Sequence, residues 1–289
     1  MWAVSYDMEM RVIGAMRKLR IRWAIVTSLA IVAIVLMVPV VWLALESFKT
    51  NSEIDAFPLN IVPKVWTVSG FRIIFAQAGL GRAYLNSMGV AIATVVSVLL
   101  TSSLGGYAFA WLRIPGKRYG FYFVLSTTMV PFVMLVIPLY VVMSKAHLVD
   151  TYIGLWLPGA VSAFGIFLCR QFVYSVPVDL FSAAQVDGAG DARIYWQIVL
   201  PLLKPALSVV GIFTFLATFN SYLWPLVLLS NPKLFTLPIV LANASTSFGM
   251  TNYSAVIAGS LLTCIPTVVV FLVFQRQLVN GIALTGVNL

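Results

Sequence analysis

Charge is the scarcest feature of this 289-residue sequence, in which only 9% of the residues are Asp, Glu, Lys or Arg. Soluble domains carry about 25% charged residues. With 61% hydrophobic residues, the chain has more apolar surface than one water-soluble core can hide. A soluble fold is excluded, and a single membrane domain over residues 1–289 is expected. Cysteine is nearly absent. Cys169 and Cys264 both sit in apolar stretches, which excludes a disulfide framework and leaves two small buried hydrophobes. His147 is the one histidine. It lies in a short loop beside Lys145 and Asp150, without the convergent partners that a metal site or a catalytic triad needs. No G-x-x-x-x-G-K-[ST] loop occurs, so the chain does not cradle ATP phosphates in that way. No enzyme active site is visible.

The nine acidic residues are Asp7, Glu9, Glu46, Glu53, Asp55, Asp150, Asp179, Asp187 and Asp191. All fall outside the long apolar runs or at their edges. Proton-coupled carriers use an ionisable group near the membrane midplane. None is offered here, although sodium bound by carbonyls alone stays open. The net charge of +9 does not indicate nucleic acid, because the basic residues lie between apolar runs, as membrane-anchoring charges do.

What the chain has is six apolar stretches of about 20 residues or more, the length that crosses a bilayer as a helix. They run Trp23–Leu45, Leu85–Ala110, Tyr119–Met143, Tyr152–Phe172, Ala206–Leu229 and Ser254–Phe274. The runs are continuously apolar rather than alternating, so the fold class is an all-α membrane protein and not a barrel. The first run is too long for a cleavable signal and reads as an uncleaved transmembrane helix. With the N-terminus inside, Lys and Arg number twelve in the inner segments against six in the outer loops. Both termini are expected in the cytoplasm.

Two loops are long. The outer one, Glu46–Tyr84, contains a short apolar segment, Phe71–Ala76, expected as a helix on the membrane surface. The inner one, Val173–Pro205, includes PVDLFSAAQVDGAGDARIYWQIVLPLLKP. It reads as two short helices, Asp179–Val186 and Ala192–Leu200. Asp179 is placed to cap the first, and Asp187 and Asp191 each to cap the second. Gly188 permits a positive-φ turn between them. Pro201 and Pro205 end the second helix and introduce the fifth span. Small Ser182, Ala183 and Ala184 allow close approach by another protein. Phe181, Ile194, Tyr195 and Trp196 are types that anchor interfaces. The loop is either a docking helix for a cytoplasmic partner or a hairpin packed on its own bundle.

This loop resembles the coupling loop shared by permease subunits of bacterial binding-protein-dependent ABC importers. The family pattern is E-A-A-x-x-D-G-A, then a spacer, then an aromatic stretch ending in L-P-L-x-x-P. Ala183, Ala184, Asp187, Gly188 and Ala189 match at the right spacing, as do Leu200, Pro201, Leu202 and Pro205. Ser182 stands where the family has Glu, a residue that commonly meets a basic residue of the ATPase, so either the partner ATPase differs or the other permease subunit carries that contact. The resemblance covers nearly the whole chain and is nearest to carbohydrate-type permeases, the second-permease kind of the maltose transporter. It is carried further by Phe57-Pro58 with Trp66-Thr67, Asn86-Ser87, Ile137-Pro138-Leu139-Tyr140, Asn220-Ser221-Tyr222-Leu223-Trp224-Pro225, Ala258-Gly259-Ser260 with Pro266, Phe274-Gln275-Arg276 and the tail Gly281–Leu289.

The resemblance implies a type I ABC importer permease fold in the bacterial cytoplasmic (inner) membrane. It implies a heterodimer with a second permease, two ATP-binding subunits and an extracytoplasmic substrate-binding protein. No cofactor is expected in this chain, since ATP and magnesium would be bound by the partner ATPase. Ser182, Ala183, Ala184, Asp187, Gly188, Ala189 and Pro201 would couple to that ATPase. A sugar pathway needs hydrogen-bonding side chains and aromatic faces, which Asn86, Tyr140, Asn220, Tyr222 and Trp224 offer. Intramembrane Asn also bonds neighbouring helices, and Trp and Tyr gather at membrane interfaces. A facilitator or secondary carrier, and a structural or enzymatic membrane subunit, are the competing readings.

Overall fold

A computed structural model of the chain describes residues 2–77, 79–246 and 252–285, and among these the regular structure is helical. Helix α1 spans Trp2–Glu46, and short α2 (Asn51–Ile54) follows. Helix α3 (Ser69–Gln77) leads into α4 (Leu80–Ala110), the central post. Helices α5 (Lys117–Ser126) and α6 (Phe132–Lys145) come next, then α7 (Tyr152–Trp156) and α8 (Ala163–Tyr174). A hairpin follows, built from α9 (Val178–Val186), α10 (Asp191–Ile194), a π-helical turn at Tyr195–Val199 and α11 (Leu200–Leu202). Then come α12 (Lys204–Phe219), α13 (Leu223–Leu228), α14 (Leu237–Thr246) and α15 (Tyr253–Thr285). The last four residues of the Gly281–Leu289 tail lie outside the described residues.

Helices α8 and α12 pack most extensively on α4. Glycine makes the first of these contacts close. A Cβ at Gly106 would stand 2.5 Å from Cβ of Cys169, and one at Gly165 would collide with Ser102 Oγ. Apolar burial gains little between helices in lipid, so small residues that let backbones approach are what such packing uses. Helix α3 covers the Phe71–Ala76 segment, but it does not lie free on a surface. Its Ile74 is fully buried, and a Cβ at Gly70 would run into the backbone of Ser254 on α15. By contrast, the apolar stretch Ile21–Glu46 of α1 is almost wholly exposed.

Among the described residues, three helical stretches are long and apolar enough to cross a membrane, namely Ile21–Glu46, Leu80–Ala110 and Tyr253–Gln275. Three bent pairs reach that standard jointly, Lys117–Met129 with Phe132–Lys145, Tyr152–Gly159 with Ala163–Tyr174, and Asp191–Leu202 with Lys204–Phe219. The expected third, fourth and fifth runs are therefore not single straight helices. Pro131 breaks the third with a 103° bend, because a residue before proline is pushed out of helical geometry and Val130 is extended. Pro158 and Gly159 close a 3-10 turn in the fourth, and Ser162 restarts it as an N-cap that accepts from Gly165 N. The fifth, expected as Ala206–Leu229, ends its long helix at Phe219 and resumes only at Leu223.

Candidate functional site

The two ends of α4 each hold one of the regions singled out by the sequence. At its C-terminal end sits the α9–α11 hairpin. Phe181 of α9 is 1% exposed and stacks on Trp111, with ring centroids 4.3 Å apart. Ile194 is fully buried, and the Tyr195 hydroxyl shares a 2.8 Å hydrogen bond with Ser103 Oγ. Tyr107 donates its hydroxyl to the carbonyl of Asp191 at 3.3 Å. The π-helical turn widens the helix so that Tyr195, Val199 and Leu203 share one buried face. Of the four apolar anchors read from sequence, Phe181, Ile194 and Tyr195 thus serve the chain's own core, and only Trp196 faces outward.

The turn between the two hairpin helices explains the motif. Gly188 has φ +79°. Ala189 N donates to Ala184 O at 2.9 Å and Gly188 N to Gln185 O at 3.0 Å. These are the two bonds of a Schellman termination, which needs a left-handed residue at the position Gly188 occupies. Ala184 and Ala189 pack inward on the Phe181–Ile194 core. Ser182, Ala183, Val186, Asp187 and Pro201 are exposed, Val186 to 87%. The capping expectations do not hold. The N-cap of α9 is Pro177 and that of α10 is Gly190, while Asp179 and Asp191 sit one position or two inside their helices. Asp187 ends α9 rather than starting the next helix. Proline and glycine hold the required extended caps, which leaves the carboxylates in the first turn, where the helix dipole favours them. Pro205 opens α12 as expected, whereas Pro201 lies inside the hairpin in α11. Ser182 Oγ donates only to Val178 O, at 3.2 Å.

At the N-terminal end of α4 the attachments are polar. Asn86 is 6% exposed. Its Nδ2 donates to the carbonyls of Lys233 and Phe235, each at 3.0 Å, and its Oδ1 accepts from the Tyr152 hydroxyl at 2.8 Å. Ser87 Oγ accepts from Leu237 N at 2.8 Å. Trp224 is buried and donates Nε1–H to the carbonyl of Gly154 at 3.1 Å. Asp150 Oδ1 accepts from Ser230 N and Asn231 N at 2.6 and 2.9 Å. Together these hold the segment from α13 to α14 against α4 and α7. Of the five expected pathway residues, Asn86 and Trp224 belong to this framework. Tyr140 is half-buried against the apolar cluster around Trp224. Asn220 and Tyr222, at the break between α12 and α13, are exposed, and Asn220 donates to Leu216 O at 2.8 Å. Sequence reasoning missed Tyr152 and Asp150. Their signal was weak, since both lie beside a short loop and bond backbone or side chains more than sixty residues away. Among the described residues no three His, Cys, Asp or Glu side chains converge as metal ligands, and His147 is exposed.

Comparison with known proteins agrees with this architecture. Residues 102–283 match the family described as binding-protein-dependent transport system inner membrane component. The arabinooligosaccharides transport system permease protein AraQ of Halalkalibacterium halodurans is 36% identical over 269 residues, covering 92% of this chain and 96% of the relative. The sn-glycerol-3-phosphate transport system permease protein UgpE of Yersinia pestis is 35% identical over 240 residues, covering 80% and 85%. A crystal structure of a bacterial ABC transporter involved in the import of the acidic polysaccharide alginate superposes with a TM-score of 0.77 at 25% identity, covering 88% of this chain and 95% of that one. Helical architecture, hairpin motif and relatives agree, and the chain belongs to the family of binding-protein-dependent transport system inner membrane components, which are transporter subunits and not enzymes.

Proposed function

We propose that this chain is one of two permease subunits of an ATP-driven carbohydrate importer and forms half of its translocation pathway. Six crossings are α1, α4, the bent pairs Lys117–Met129 with Phe132–Lys145 and Tyr152–Gly159 with Ala163–Tyr174, α12 continued into α13, and α15, with both termini and the hairpin on the cytoplasmic side of the inner membrane. The hairpin is the coupling element. One observation carries this reading: the hairpin is two-faced. Phe181, Ile194 and Tyr195 fix it to α4, while Ser182, Ala183, Val186 and Asp187 stay exposed. A surface fixed so firmly from behind moves with the bundle and transmits motion as a lever. The exposed small side chains suit close contact with an ATP-binding subunit, which would hold the ATP and magnesium. Gly188 and Ala189 shape the turn, and Ala184 locks it to the bundle.

ATP-driven closure of two such subunits would swing the levers and open the pathway outward, where a binding protein delivers substrate. Carbohydrate is supported by the oligosaccharide permease among the relatives. Asn220 and Tyr222, exposed at the α12–α13 break, are the pathway candidates with free surface. Tyr140 is a partial one, and Asn86 and Trp224 hold the wall behind them.

The test is to purify the chain from detergent-solubilised membranes and assay ATPase with and without sugar-loaded binding protein. Co-purification of an ATPase stimulated by one loaded binding protein is expected. A folded chain that brings down no ATPase would shift the assignment to an ATP-independent carrier.

A further inference from the structure

Among the described residues, clefts of several hundred cubic ångströms open at several places, and three differ in their lining. One of about 470 Å³ lies between α4, α12 and α15 and is apolar apart from Lys204 and Ser208. A second, of about 500 Å³, runs along α1 and is apolar throughout except for the indole of Trp42, whose N–H is already bonded to Glu46. Both suit hydrocarbon. The third, of about 410 Å³, differs in chemistry. It lies between α4 and α7, at the end of α4 away from the hairpin, and is lined by Asn86, Gly89, Ala93, Tyr152 and Trp156 among others. Its size falls in the range of small-molecule sites, about 300–1,000 Å³.

Gly89 and Ala93 keep the α4 wall low, and a Cβ at Gly89 would meet no atom within 4 Å. Opposite them, the exposed ring of Tyr152 and the partly exposed indole of Trp156 supply flat apolar faces. The Trp156 indole makes no hydrogen bond with another described residue, so its N–H is available as a donor. The Tyr152 hydroxyl donates to Asn86 Oδ1 at 2.8 Å, which fixes its orientation and leaves its oxygen free to accept. Aromatic faces beside one donor and one acceptor are what a sugar ring uses, with C–H groups on the ring face and hydroxyls at the edge. None of the lining residues is charged. A phosphate or carboxylate substrate would call for Arg or Lys here.

We propose that this pocket is a subsite for one ring of a neutral saccharide, with Tyr152 and Trp156 as stacking faces and Asn86 holding Tyr152 in place. The inference rests on the carbohydrate-importer reading above and narrows it to uncharged substrates. In the proposed orientation the pocket lies at the outer end of α4, the side from which a binding protein would release substrate.

The experiment uses the full complex of two permeases, ATPases and binding protein in proteoliposomes. Uptake is measured for arabinotriose, lactose and maltotriose, with glycerol 3-phosphate as the anionic control. Gly89→Leu puts a branched side chain into the pocket from a position where its Cβ meets no atom within 4 Å. It should raise the KM for a neutral sugar about ten-fold or more. Trp156→Ala should do the same and Trp156→Phe should fall between, since Phe keeps a face and loses the N–H. Wild-type KM in both Gly89→Leu and Trp156→Ala would overturn the subsite while leaving the importer intact. Uptake of glycerol 3-phosphate alone, or of none of these sugars, would overturn its neutral-sugar chemistry. Loss of ATPase co-purification from the wild-type complex would remove the importer reading and the subsite with it.

Discussion

The two ends of α4 hold their neighbouring segments by different means. At the C-terminal end the hairpin is fixed chiefly by packed rings, Phe181 on Trp111 and Tyr195 beside Tyr107, with two tyrosine hydroxyl bonds, Tyr195 with Ser103 and Tyr107 to the Asp191 carbonyl, beside them. At the N-terminal end the α13–α14 segment is fixed by side chains bonded to backbone, Asn86 to the carbonyls of Lys233 and Phe235 and Ser87 to the N–H of Leu237. Ring packing leaves the hairpin's outer face free for a partner and makes the whole unit rigid. Amide-to-backbone bonding suits a segment that contains a helix break, because the freed backbone groups at the break need partners inside a membrane.

The largest effect expected is at the ring-packed end. Phe181→Ala should cost about 3–5 kcal/mol, the range for burying an Ala where a large aromatic stood. Thermal unfolding of the purified complex would read this, and uptake per ATP hydrolysed should fall with it. A fully stable, fully coupled Phe181→Ala complex would mean that the hairpin is not held through this ring. Next comes Asn86→Leu, which leaves two carbonyls and the Tyr152 hydroxyl without their partner. Exposed Tyr152 can rebond to water, so the cost is that of the Phe235 carbonyl, about 1–3 kcal/mol, and about 1 kcal/mol for the carbonyl of exposed Lys233, and roughly 2–4 kcal/mol of stability should go, seen as reduced yield of assembled complex. Wild-type stability there would erase the contrast between the two ends. The smallest effect belongs to Gly188. Gly188→Val places a β-branched residue at φ +79° and should cost about 1–3 kcal/mol. No atom lies within 4 Å of its added Cβ, so the strain is purely conformational. Gly188→Asn, which tolerates this region, should recover much of the coupling that Val loses. Equal uptake by the two variants would count against a turn that must be left-handed.

The same contrast decides what could be read from sequence. Apolar length located the first, second and sixth stretches as long helices and the third and fourth as bent pairs, and the hairpin was legible because Gly188 and the flanking alanines form a local motif whose bonds stay within six residues. Breaks in the third, fourth and fifth stretches were hidden, because a hydropathy window averages over Pro131, Pro158 and Asn220 without seeing that the chain turns there. Asn86 and Trp224 drew attention as sugar ligands for a sound reason, being polar groups in an apolar setting. Such a group must bond to something, and sequence does not say whether the partner is substrate or a carbonyl 147 residues away, as Lys233 O is for Asn86. Asp179 and Asp191 were misplaced as caps because composition favours acids near a helix start without fixing which position they take.

The most direct test of the lever is site-directed cross-linking in native membranes, in a background where exposed Cys264 is replaced by Ser and buried Cys169 is kept. Cysteine at Val186, 87% exposed, should cross-link to the ATP-binding subunit, whereas cysteine at Ala184, turned toward the bundle, should not. Cross-links to the ATPase from Ala184 but not Val186, or from neither in an assembled complex that hydrolyses ATP, would contradict the account of this face.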